Sequence, residues 1–126
     1  MKNKRYVQIA FVLILLLGNF SGVKADALQL VKACNEVGNM FENKPYIKGD
    51  AMYCLGLLQG IQKTTLYYSV LFPETRKMGA CIPANAKLGE LAALIVKYAK
   101  QNQNYLNMDD ADYARTVLFR VFPCKK

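Results

Sequence analysis

Histidine is absent from all 126 residues. That removes the usual general base, the commonest zinc and haem ligand, and every Ser–His or Cys–His nucleophile arrangement. Cysteine is sparse: four residues, at 34, 54, 81 and 124, with no two close enough for the knuckle of a thiolate zinc site. None lies near Ala25, which argues against a lipoprotein. Basic residues do not cluster: pairs such as Arg76-Lys77 and Lys125-Lys126 are dispersed, with no stripe interleaved with aromatics, so nucleic acid is not an expected partner. Repeats, low-complexity tracts and strand-period alternation are also lacking, which leaves helices. The one acidic cluster, Asp109, Asp110 and Asp112, has neither the glycine turn nor the distant glutamate of a calcium loop. Helix capping is its expected role, and no metal or other cofactor is expected. No pairing of acids suits general acid–base work, and the chain is not expected to be an enzyme.

What is present begins with a basic "MKNKR", an apolar run, and small residues at Val23 and Ala25. This is the pattern of a secretory signal peptide, with cleavage expected after Ala25. The uncharged stretch from Tyr6 to Val23 is interrupted by Gly18, Asn19 and Ser21 and has no basic stop beyond it, so a retained membrane span is not expected. Lys2, Lys4, Arg5 and Lys24 would leave with the signal. Thirteen basic residues then face nine acidic ones, and the net charge falls from +8 to +4. Residues 26–126 fit one small domain.

Four segments carry helical periodicity. In "DALQLVKACNEVGNMF", Asp26 and Gln29 form a capping-box start, and Leu30, Cys34, Val37 and Phe41 share a face. Pro45 and Gly49 then break the pattern. In "DAMYCLGLLQGIQKTTLYYSVLF", a stripe of Cys54, Leu57, Leu58, Ile61, Thr65, Tyr68 and Phe72 runs for about five turns to Pro73. Gly56 and Gly60, four apart within it, suit close approach of a neighbouring helix or a partner. Tyr53, Tyr67 and Tyr68 suit either a ligand surface or packing at the core edge, and packing is the expectation because Tyr68 lies on the stripe. Leu88, Leu91, Ala92, Ile95 and Ala99 mark a third helix. Ala114, Val117, Leu118 and Val121 mark a fourth, with acids at its start and Arg115 and Arg120 later. The expectation is an all-α domain of four helices stapled by two disulfides, with loops near 42–49, 73–86 and 101–108.

An even cysteine count in an exported chain points to disulfides. Four cysteines allow three connectivities, and helix geometry ranks them. Cys34 and Cys54 sit on the apolar stripes of consecutive helices, each within about two turns of the loop between them, so a hairpin brings them together. Cys81 and Cys124 remain for each other, and either closure contributes about 3–4 kcal/mol by the loop-entropy model. The longest irregular stretch, "PETRKMGACIPANA", would be pinned by Cys81. Its Glu74, Arg76, Lys77 and Met78 are the candidate partner-binding residues, because pre-ordering lowers the entropy cost of docking.

The second half resembles a known family. Cys81-Ile82-Pro83 precedes a helix, Lys97-Tyr98 lies near that helix's end, Ala111 and Ala114 sit in the last helix, and the chain closes on Phe122-Pro123-Cys124. Upstream, Ala33-Cys34 and "CLGLLQGI", with Cys54, Gly56 and Gly60, continue the likeness. Together these resemble the Rap/Tai-type immunity proteins of type VI secretion systems over nearly all of residues 28–124. Leu57 stands where that family often has an aromatic, and Gln103 where proline is common. The resemblance implies a periplasmic protein that binds and obstructs a peptidoglycan-amidase toxin from sibling cells, often as a homodimer. It implies no catalysis and, after signal cleavage, no membrane partner. Two rivals fit an exported, helical, disulfide-bonded chain: an acid-activated periplasmic chaperone, and an inhibitor of another cell-wall hydrolase.

Overall fold

The structure is a computed structural model that describes residues 26–72 and 79–124; the expected signal segment, 1–25, lies outside the described residues. Four α-helices form it: α1 (Ala27–Phe41), α2 (Lys48–Leu71), α3 (Leu88–Gln101) and α4 (Asp110–Val121). A 3₁₀ turn, Gln103–Tyr105, links the last two. Among the described residues the only β-type pairings are two isolated antiparallel bridges. The all-α expectation holds.

Each helix end has a local cause. Asp26 caps α1 by accepting the Gln29 N–H at 2.8 Å. At its other end Asn43 takes a left-handed φ of 53°, while Lys44 N–H donates to the Asn39 carbonyl at 2.9 Å and Asn43 N–H to Met40 at 3.3 Å. That is a Schellman closure, with asparagine in the place glycine usually fills. Glu36, on α1, accepts the Ile47 N–H at 2.8 Å and so closes the start of α2 from the preceding helix. On α4, Asp109 accepts the Ala111 N–H at 3.1 Å, two more acids occupy the first turn, and Arg120 sits in the last.

α1 is the centre of the fold, packed against α2 and α3 and touching α4; α2 and α4 barely meet. Leu30, Cys34 and Val37 of α1 are buried with Ala51, Cys54 and Leu58 of α2, Leu91 and Ile95 of α3, and Val117 and Leu118 of α4. Tyr113 is fully enclosed and donates its hydroxyl to the Ile95 carbonyl at 3.1 Å. Burial holds its phenol un-ionised and, with neighbouring Tyr98, pushes its pKa up to about 12. Buried Gln62 donates to the Pro83 and Ala86 carbonyls at 3.3 and 3.1 Å, which fastens the segment before α3 onto α2.

Cys34 is bonded to Cys54 and Cys81 to Cys124, with Cα separations of 5.1 and 4.9 Å. The first bridge is sealed in the core; in the second, Cys81 is exposed and Cys124 half-buried. Beside the second, Cys81 N–H donates to the Phe122 carbonyl at 2.7 Å, and Ala80 bridges to Pro123. The end of α4 is therefore tied down by backbone as well as sulfur.

Several stripe residues are not core. Phe41 is 65 % exposed, Tyr68 54 % and Phe72 42 %, and Val121 is also open. The expected packing of Tyr67 and Tyr68 at the core edge is overturned. At about 1.5 Å per residue, the 24 residues of α2 outrun its shorter neighbours, and no described element covers its last two turns.

Candidate functional site

Asp109 and Asp110, at the start of α4, are engaged in the fold. Asp110 also accepts the Ala111 N–H, at 2.7 Å, and receives the Tyr53 hydroxyl, which joins α2 to the start of α4. Asp112 faces Arg115 across 3.4 Å in an exposed pair. Glu42 pairs with Lys44 on the surface; that hydrogen bond and charge hold its carboxyl below the usual range. Among the described residues no cluster of three or more cysteine, aspartate or glutamate side chains could hold a metal ion.

A groove lies elsewhere, between α2 and α4, which touch only sparsely. This groove has a volume of about 770 Å³. Gly56, Gly60 and Thr64 of α2 line one side at helical spacing, with Leu57 and Ile61 beside them. Ala111, Arg115 and Phe119 of α4 line the other, and Gly79 and Ala80 close one end, held by the Cys81–Cys124 bridge and the Ala80–Pro123 pairing.

The glycines show what keeps the groove open. A Cβ at Gly89 would come within 2.6 Å of the Phe41 ring, so internal packing accounts for that glycine. At Gly56 and Gly60, as at Gly38, Gly49 and Gly79, nothing described lies within 4 Å of where a Cβ would stand, and neither has a positive φ. Each costs about 1 kcal/mol of helix propensity against alanine, and nothing in the described fold uses the space. Of the two roles that suit this glycine pair, close approach by a neighbouring helix does not occur among the described residues.

Among the described residues the groove's lining is one-signed: Arg115 and Arg120 line it, with three threonines and no carboxylate. Arg120 is positioned by a neutral group: it donates to the Tyr105 hydroxyl at 2.9 Å and lies 5.3 Å from that ring's centroid. Among the described residues it has no acidic partner.

Of the residues singled out from the sequence, the four cysteines are located as two bridges. Glu74, Arg76, Lys77 and Met78 lie outside the described residues; Gly79, next in the chain, is on the groove's rim. Sequence reading missed Thr64, Arg115, Phe119 and Arg120 as surface partners of the two glycines. Gly56, Gly60 and Thr64 repeat every four residues on a face offset from the cysteine stripe, and that offset was the available signal.

Comparison with known proteins gives one match. The family model described as Rap1a immunity proteins matches residues 26–124. No curated protein and no solved structure matches the chain.

Proposed function

The chain belongs to the Rap1a immunity protein family, and from that membership we propose that it is a periplasmic protein that binds and blocks a peptidoglycan-amidase toxin delivered by type VI secretion. Immunity against a toxin, through binding it, is what the family itself supplies. The observation that carries the reading is the extent of the match, which takes in all four helices and all four cysteines. It starts at residue 26, immediately after the expected signal cleavage site. Two disulfides fit an oxidising compartment. A protein that works by occupying a cleft needs a stiff surface and no reactive group of its own. The same reading includes a homodimer, for which exposed Leu66 and Val70, four apart near the end of α2, offer an apolar face.

Two measurements test it. The reading expects a peptidoglycan-amidase gene beside this one; its product should co-purify with residues 26–126, and exporting the chain should rescue cells that carry that amidase in the periplasm. Lysis unchanged by co-expression would remove the amidase reading. Light scattering of the purified chain should give twice the monomer mass; a monomer would remove the dimer alone.

A further inference from the structure

We infer that the α2–α4 groove receives the toxin, and that the segment docked there carries small apolar side chains beside a carboxylate; this rests on the toxin-binding reading above. Two features of the groove, its small-residue floor and its charge, lead to that occupant. Its floor is apolar and nearly free of side chains at Gly56, Gly60, Ala80 and Ala111, so a partner backbone with short side chains can approach closely. Its two glycines have no packing or conformational role within the described fold. Its described lining carries charge of one sign, Arg115 and Arg120, with no acid among those residues.

The charges decide the partner's chemistry. An arginine covered by a docking surface without a counter-ion is strongly unfavourable, whereas a carboxylate can meet a guanidinium through two parallel hydrogen bonds. Arg120 is already held in place by the Tyr105 hydroxyl and ring, so little side-chain freedom is lost when it is engaged. Arg115 has only its exposed contact with Asp112 to give up, and such pairs contribute little. A basic or bulky aromatic segment would meet both obstacles at once. The rim threonines, Thr64, Thr65 and Thr116, supply hydroxyls for the partner's backbone.

The test titrates the disulfide-intact chain with the adjacent-gene amidase, inactivated at its nucleophile, by calorimetry. Gly60→Leu fills the groove where no atom of this chain would clash. It should raise Kd at least 100-fold while the far-UV spectrum is unchanged and Tm is equal or higher. Gly38→Leu, at an exposed helix glycine on α1, should leave Kd unchanged. Arg115→Glu should raise Kd at least tenfold and flatten its dependence on salt. A Gly60→Leu variant that binds like the parent overturns the inference and leaves toxin binding intact. A variant that changes only the solution mass makes the groove a contact between copies, and overturns it equally. If the parent chain itself does not bind, the wild-type titration alone shows that the toxin reading has failed, and the groove's assignment falls with it.

Discussion

α2 has two seams, and they are built in opposite ways. Toward α1 it presents Ala51, Cys54 and Leu58, fully buried and sealed by the Cys34–Cys54 bridge. Toward α4 it presents Gly56, Gly60 and Thr64 across an open groove, joined at one end by Tyr53 and Asp110. Both faces keep helical spacing and both are rich in small or apolar residues. The difference is that, among the described residues, the first seam has a helix packed on it and the second does not. Hydrophobic periodicity reports that a face avoids water; it does not say which molecule will cover it.

The comparison breaks most easily at the closed seam. Replacing Cys34 and Cys54 together by serine removes a closure contributing about 3 kcal/mol and leaves two hydroxyls in the core. Denaturant unfolding should show a loss larger than that figure, enough to compromise a domain of this size. Mild dithiothreitol on the folded protein, followed by alkylation and mass mapping, should open Cys81–Cys124 first. Cys34–Cys54 should stay closed until the chain unfolds, because attack requires access to the sulfur. Simultaneous opening of both bridges would mean that the two are equally accessible.

Next in size is a pair of insertions with opposite expected signs. Ala51→Leu adds volume to a seam with no room and should destabilise by about 1–3 kcal/mol. Gly60→Ala adds volume to the open seam and should stabilise by about 1 kcal/mol. If urea titrations moved both midpoints the same way, the two seams would not differ as described.

A smaller effect comes from pH. Tyr113, in the packed centre, has its pKa raised to about 12 by burial and by Tyr98. A phenol whose pKa is higher folded than unfolded contributes its full stability below the unfolded value, about 10, and loses it as pH rises toward 12. Alkaline unfolding followed by circular dichroism should therefore fall over that interval. Tyr113→Phe should flatten the fall, at the cost of the hydrogen bond to Ile95.

Much of the closed seam was legible in the sequence. Cys34 and Cys54 lay on apolar stripes either side of a short loop, and periodicity with capping located all four helices. Asp26 and Asp109 act as the caps their positions suggested. The open seam was not legible. Tyr68 and Phe72 continued the stripe of Cys54 and Ile61, yet they lie where α2 has outrun its neighbours, and helix length relative to neighbours is a tertiary fact. Phe41 followed Leu30, Cys34 and Val37 in register but sits at the last residue of α1, where its face has passed the core; its ring lies over Gly89 instead. Gly56 and Gly60 suited close approach from within or without, and only the structure shows the space beside them to be empty. Arg115 and Arg120 read as dipole compensation, and Arg120 does occupy the last turn of α4. Their position beside the glycines depends on how α4 crosses α2, which no local pattern encodes.

The central claim is that the open seam, and not the remainder of the surface, is the face that meets the toxin. Hydroxyl-radical footprinting of the chain with and without the inactivated amidase tests this directly. Leu57 and Phe119, which line the groove, should become protected, while exposed Leu28, Phe41 and Tyr46 should react as before. Protection of Phe41 and Tyr46 with Phe119 unchanged would contradict the account.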